Sequence, residues 1–415
     1  MALRGKEFLW GASIANYQTD GAENTQWHEW ELANADRLAS DYDTAFKDVP
    51  TVDDFRVAGN DPQNYISGMG IHHRERYDSD FDKLQALNFN AFRFSVEWAR
   101  VEPEEGVYDE SEIAFLKDYI ASIKSHGMTP VLTLWHWTMP VWFTEKGGFE
   151  KRENERYFEE FAAYVLQKLQ DDIDIVLTFN EWNVYTFAGY IAGEWAPMQT
   201  SFLTAFKVAL HLTETHNRVY DIAKMIKPAF KVSVAHNTAD FIALNRKVTT
   251  KIGLAWNRWQ RDNFFLDRTY QKMDFLGLNW YNADSYDGFT VKNPNEKVND
   301  MGWDMRPIRI EKTLVRLYNR YQLPILITEN GLADGDDSDR EWWLSETLQA
   351  LENAESAGVD LMGYLHWSAF DNFEWDKGYW PRFGLIAVDY ENDYARDIRQ
   401  SAQYYATRIL EYRGK

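Results

Sequence analysis

Residues 173–179 form a short apolar run that stops on Asn180 and Glu181, and residues 324–328 form another that stops on Glu329 and Asn330. An amide and a carboxylate at the end of a buried strand are costly unless partnered. Other strand-like runs end similarly: Gln18 follows the first, Arg93 and Glu97 lie in the second, and His136 follows the third. Asn279 and Tyr281 close the sixth, and Trp367 closes the eighth. If these ends meet at one cleft, Glu181 and Glu329 are a carboxyl pair suited to splitting an acetal, one protonating the leaving oxygen and one meeting the oxocarbenium ion. Each residue alone has a plainer reading: Glu181 as a cap or loop ion pair, His136 as a bonded core histidine, Arg93 as a buried partner for a carboxylate, Trp367 and Trp375 as core rings. Glu102, Glu104, Glu105 and the acidic residues of "DGDDSD" (334–339) read as solvated charge.

Convergence requires a scaffold that brings every strand end to one mouth. Strand candidates are Phe8 to Ile14, Ala91 to Trp98, Thr129 to His136, Ile175 to Glu181, Lys231 to Asn237, Asp274 to Tyr281, Pro324 to Asn330 and Leu361 to Ser368. Between them lie amphipathic stretches such as "SEIAFLKDYIASIKSHG" (Ser111 to Gly127), with apolar residues at helical spacing and a terminal Gly. Eight strand-then-helix units predict an α/β fold, a closed (β/α)8 TIM barrel with its chemistry at the C-terminal strand ends. No linker or low-complexity tract divides the chain, so residues 1–415 are expected to form one catalytic domain. The polar segment from Gln26 to His73 is expected to be a long loop after strand 1, at the rim or as a lid.

Composition narrows the partners. The chain is 45% hydrophobic, enough for a large core, and its 18 Trp offer flat rings for packing and for stacking on ring-shaped ligands. A net charge of −21 disfavours nucleic acid and anionic membranes. There is no Cys and no His spacing of a metal site, so neither metal nor cofactor is expected. The N-terminal residues lack the apolar stretch of a signal peptide and no run reads as membrane-spanning, which makes the cytoplasm the default location.

The strand ends also spell a known pattern. "TFNEW" (178–182) resembles the Thr-Phe-Asn-Glu-Pro motif of glycoside hydrolase family 1, the retaining β-glucosidase and β-galactosidase family, and "ITENG" (327–331) resembles its nucleophile motif. "FLWGASIANYQTDGA", "FRFSVEWARVEP", "LWHWTMP", "DFLGLNWY" and "HWSAFDNFEWDKGYWPRFGLIAVDY" are similar to its remaining blocks, in the same order over nearly the whole chain. The resemblance implies that Glu181 is the general acid/base and Glu329 the nucleophile. It implies that Gln18, His136, Asn180, Glu374 and Trp375 bind hydroxyls of the first sugar, that Trp367 stacks on that sugar, and that Arg93, Asn279 and Tyr281 surround the nucleophile. The implied substrate is a small-molecule β-glycoside or oligosaccharide: an unphosphorylated β-D-glucoside, with β-D-galactosides and β-D-fucosides beside it, because Glu374 would repel a 6-phosphate. The implied exo-acting, retaining double displacement sets an expected carboxyl separation of about 5 Å. A weak or inactive carbohydrate-binding barrel is the alternative. Departures from the family pattern are Trp182 for Pro, Trp280 for Tyr, "HWTMP", Asp20 for Glu, and a short stretch between Asn237 and Asp274. The Trp182 ring is expected to face either the leaving-group side or the space behind strand 4.

Overall fold

The structure, a computed structural model, describes residues 3, 5 and 7–414. Eight parallel strands close into a barrel: β1 (Leu9–Ser13), β2 (Ala91–Ser95), β3 (Thr129–Trp135), β4 (Ile175–Asn180), β5 (Lys231–Ala243), β6 (Leu276–Asp287), β7 (Ile325–Glu329) and β8 (Leu361–Trp367). Each pairs with the next, and β8 returns to β1. β2 and β4 are buried at every position, as strands covered on both faces must be, which is why they read as continuous runs rather than alternating ones.

A separate apolar cluster, including Ala91, Val131, Leu177, Ala235, Leu326 and Leu365, fills the lower barrel. Two residues further along the same strands, the period of two brings Arg93 and Thr133 into the interior above that layer. On β4 the register against β5 shifts between Leu177 and Asn180. Thr178 bonds His216 at 2.7 Å and Phe179 stacks on Phe158, both on surrounding helices, so the shift leaves Asn180 to point inward. A similar irregularity sets Asn279 opposite Glu329. Polar side chains thus form a layer between the apolar plug and the mouth.

Helices cover the barrel. α1 (Gln26–Ala45) lies in the first excursion, and α2 (His73–Ala86), α3 (Glu110–Ser125), α4 (Glu155–Leu169), α5 (Phe202–Ile226), α6 (Val248–Arg258), α7 (Ile310–Tyr321), α8 (Arg340–Ser356) and α9 (Gln400–Tyr412) follow successive strands. α3 begins before the expected Ser111, because Asp109 caps it by accepting from the backbone N–H of Ser111 and Glu112. The segment expected as a loop over Gln26 to His73 contains the twenty-residue α1. Thr25 caps that helix, and its buried face mixes Trp27, Trp30 and Tyr42 with Gln26, Glu31 and Asn34, which obscured the apolar period. β5 and β6 both run past the expected ends at Asn237 and Tyr281. Their extensions carry Asp240 and Asp284, whose partners Arg309 and Arg261 lie on other elements and leave no mark in the strand pattern. After β8 a hairpin, β9 (Ile386–Asp389) with β10 (Ala395–Ile398), precedes α9.

The solvated reading of the acidic residues is corrected at two places. Glu102 is buried and accepts from the Trp98 indole at 2.7 Å and the Gly106 N–H at 2.9 Å. Asp334 is buried and accepts from the N–H groups of Asp339 and Arg340, holding the start of α8 beside the fully buried Arg340. Among the described residues no helix is long and apolar enough to cross a membrane.

Gly331, just beyond Glu329, fixes the approach of β7 to β8. A Cβ there would lie 1.7 Å from the Trp367 carbonyl oxygen, a backbone atom that cannot swing aside. Gly331→Ala should lower the unfolding free energy by about 2–3 kcal/mol, measured by denaturant melts.

Candidate active site

Arg93 is the hub of the polar layer. Its guanidinium, fully buried, donates from Nη1 to Glu329 Oε1 at 2.5 Å, from Nη2 to Asn180 Oδ1 at 2.6 Å and from Nε to Thr133 Oγ1 at 3.0 Å. The Tyr281 hydroxyl donates to the other Glu329 oxygen at 2.7 Å. Asn279, oriented by the Thr328 hydroxyl and paired in register with Glu329, donates to Asn180 Oδ1 at 3.1 Å and to Glu181 Oε1 at 2.8 Å. Glu181 accepts a second amide hydrogen bond from Asn237 at 2.9 Å, and Arg261 holds Asn237 at 2.6 Å. The two carboxyl groups therefore differ: Glu329 faces a guanidinium and a phenol, Glu181 only neutral amides.

Electrostatics follow from that difference. Burial first, then the Glu329 charge, pushes the Glu181 carboxyl up to about 7, with Asn237 and Asn279 pulling the other way. Burial also raises Glu329, opposed first by Arg93 and then by the Tyr281 hydroxyl. Glu374 is pushed up to about 8 by burial and then by Glu329. Burial, with Arg93 nearby, holds the His136 ring well below its ordinary value, so it is a neutral imidazole.

These groups border a cavity of about 420 Å3 lined by His136, Glu181, Tyr281, Glu329, Trp367, Glu374 and Trp375. The remaining expected residues sit just behind that wall: Arg93, Asn180 and Asn279 are fully buried, and Gln18 donates to Glu374 at 3.2 Å. Asn180 has its oxygen engaged by Arg93 and Asn279 and its Nδ2 3.1 Å from the His136 ring. Of these site residues, Gln18 and His136 each keep one buried atom without a partner, Oε1 and Nδ1. Trp367 and Trp375 both lie stacked with His136, with ring centroids 5.9 Å away in each case. Glu181, Trp137 and Trp375 all have left-handed backbone, φ 45°, 78° and 51°, a costly conformation that clusters at functional sites.

Two strand-end residues fall outside the cavity. Glu97 accepts from Thr138 at 2.7 Å, and Asn330 bonds the Trp280 carbonyl, the Trp343 indole and the Tyr364 hydroxyl, so both are structural. Residues missing from the expectation are Asn237, Arg261, Trp137, Glu194 and Trp195. Asn237 also lies on a barrel strand and could have been found by the rule that found the others. Arg261 has no such signal. Phe46, just after α1, reaches the same cavity, so the first excursion does meet the rim. A larger cavity of about 940 Å3 near Asp300 and Asp334 contains none of these groups.

The family model for glycosyl hydrolase family 1 matches residues 3–277 and 266–414. The chain belongs to this family. It is 31% identical over 357 residues to a chloroplastic galactolipid galactosyltransferase, SFR2, of Arabidopsis thaliana, a match covering 79% of this chain and 57% of that one. It is 26% identical over 452 residues to β-glucosidase A of Acetivibrio thermocellus, covering 96% of each. The chain thus spans just over half of the first relative and nearly all of the second. Among solved structures, a β-glycosidase from Pyrococcus horikoshii superposes with a TM-score of 0.84 at 29% identity, covering 100% of this chain and 99% of that one.

Trp182, the chief departure from the family 1 pattern, faces behind β4 and away from the cavity. It is fully buried, stacks on Phe265 at 5.5 Å, and donates from its indole to His236 Nδ1 at 3.0 Å. His236 Nε2 then meets Asp262 at 3.3 Å, and Asp262 is paired with Arg316 at 2.7 Å. His236 accepts on Nδ1, so its proton is on Nε2, the tautomer that Asp262 requires. Trp182 is also the first residue of a short helix, a position that proline commonly occupies. Trp280 is likewise buried and donates outward to Thr313 on α7 at 3.2 Å. Trp182→Phe should keep most of the packing but leave His236 Nδ1 unpaired, costing about 1–2 kcal/mol in thermal or denaturant melts. KM for a glycoside should stay within about twofold, because the ring does not line the cavity.

Proposed function

We propose that this chain is a retaining, exo-acting β-glycosidase that removes terminal non-reducing β-D-glucosyl residues, and the related β-D-galactosyl and β-D-fucosyl ones, by double displacement. The observation that carries the reading is the pair of buried carboxyl groups, Glu181 and Glu329, lining one cavity in opposite environments. Asn279, the register partner of Glu329, donates to Glu181, and so short a link supports a separation of about 5 Å, as in retaining enzymes, rather than the wider inverting one.

Glu329, polarised by Arg93 and oriented by Tyr281, attacks the anomeric carbon as the bond to the leaving oxygen breaks. Glu181, whose proton is retained up to about pH 7, gives that proton to the departing oxygen. The glycosyl ester on Glu329 carries no charge, so one of the causes that raised Glu181 disappears and its carboxylate becomes the base. Water loses a proton to Glu181, its oxygen attacks the anomeric carbon, and the ester bond breaks to restore Glu329. Two inversions give net retention.

His136, Gln18, Glu374 and Trp375 suit the hydroxyls of the first sugar, and Trp367 offers it a stacking face. Asn180 can turn its Nδ2 from His136 towards the 2-hydroxyl as that sugar arrives. Glu374, raised to about 8, enters as a neutral carboxyl able to donate as well as accept. The fit is to an uncharged sugar: in the same cavity Lys377 is already paired with Asp376 and Arg261 with Asp284, so a 6-phosphate would find neither cation free. The relative named as a galactosyltransferase favours a variant in which an acceptor sugar, rather than water, takes the glycosyl group from Glu329.

Turnover of an aryl β-D-glucoside should be lost in Glu329→Gln and should give the β-anomer first by NMR in the unaltered chain; an α-anomer first would refute the mechanism. A barrel that only binds sugar would bind glucose and turn over nothing. The value of kcat/KM should fall as pH rises through about 7, because the active form of Glu181 is the protonated one and its carboxyl is raised, not lowered. Glu181→Gln should remove that alkaline limb and cost about 10²–10⁴-fold on alkyl glucosides, whose leaving groups need the proton.

A further inference from the structure

A second cavity, of about 360 Å3, adjoins the first. Phe187 and Ile191 line it from the segment after β4, Phe202 and Phe206 from the start of α5, and Trp259 and Phe264 from the segment after α6. The two cavities share Val184 and Arg261, and Val184 is three residues beyond Glu181. Phe187 is 54% exposed, Phe202 53% and Phe206 40%. Single exposed apolar side chains are ordinary, but several around one cleft mark a binding surface.

The polar groups of this cleft are committed, apart from Asn183 Oδ1, which is buried without a partner among the described residues. Gln260 donates to Asn257 at 2.9 Å, Asn257 to the Gly253 carbonyl at 2.8 Å, and Arg261 to Asn237 at 2.6 Å and Asp284 at 2.9 Å. What the cleft mainly offers a ligand is carbon, with that one amide oxygen at its wall. Its inner end meets the sugar cavity beside Glu181, the group that protonates the leaving oxygen in the reading above. A chain attached to that oxygen would pass Val184 and Arg261 and lie along the phenylalanines.

We propose that this cleft receives the apolar aglycone of an amphiphilic β-glycoside, a long alkyl or acyl chain linked to the sugar in the neighbouring cavity. The inference rests on the β-glycosidase reading and names its substrate class. A net charge of −21 favours single, uncharged amphiphiles as ligands over the surface of an anionic membrane.

The test is kcat/KM for methyl, butyl, hexyl and octyl β-D-glucosides, each below its micelle-forming concentration. The expected result is a rise of about tenfold from butyl to octyl, less than full burial of the added methylenes would give. In a variant combining Ile191→Ser with Phe206→Ser the octyl-to-butyl ratio should fall to near one. That ratio is internal to each protein and indifferent to how much of the variant folds. Cleavage of all four glucosides with no gain from butyl to octyl would overturn this inference and leave the glycosidase reading standing. So would a gain that survives the double substitution, or a flat series accompanied by a dimer that the substitutions dissociate, which would make the cleft a contact between copies. If no aryl or alkyl glycoside is cleaved, the glycosidase reading fails and this inference falls with it.

Discussion

The site depends on one buried charge. A guanidinium inside a barrel is tolerable only when its donors are matched, and removing any partner leaves an uncompensated cation in a low dielectric. Arg93 draws those partners from separate strands: Thr133 from β3, Asn180 from β4, and Glu329 with the Thr328 carbonyl from β7. The bond that keeps Glu329 in reach of substrate is therefore the bond that makes Arg93 affordable. Stability and chemistry are satisfied by the same contacts, so the site is rigid without any element devoted to rigidity alone.

The carboxyl groups around the cavity are the opposite case. Glu181, Glu329 and Glu374 are all raised by burial, and each is held there by surrounding packing rather than by a cation of its own, except for Glu329. Aromatic rings supply that packing. Trp137 lies 4.6 Å from Trp195 and 4.8 Å from Trp375, and Trp27 lies 4.7 Å from Trp375. This wall replaces water with carbon on one side of the acidic groups, and such partial desolvation favours the protonated form of a carboxylic acid. Many of the 18 Trp thus act on the chemistry through the dielectric as well as through stacking.

The barrel was legible because its strands are mostly short, β-branched and flanked by helical spacing, and the site because most polar residues at the ends of such strands line the cavity or stand behind its wall, Glu97 and Asn330 being the structural exceptions. What stayed hidden depended on partners distant in sequence. α1 buries Glu31, whose Oε1 accepts from Ser67, so its inner face looked polar. The extensions of β5 and β6 hold Asp240 and Asp284 against arginines from elsewhere. Asp334 and, in part, Glu102 looked like surface charge because backbone N–H groups satisfy them, invisible in a list of side chains.

Trp182 shows how two different residues can hold one acid in place. Glu181 leaves β4 in a left-handed turn, and its carboxyl direction depends on where the chain goes next. Proline would set that direction by fixing its own φ. In this chain the backbone is freer, and the constraint lies in a side chain that spans from β4 to His236 on β5 and through Asp262 to Arg316 on α7. The indole anchors the first turn of the helix after Glu181 from behind, while Asn237, next to His236 on β5, grips the carboxyl from in front. Adjacent residues of β5 point to opposite faces, so one strand fixes both the acid and the turn that follows it. The position of the Glu181 carboxyl is therefore a property of the β4–β5 pair rather than of the motif that contains it.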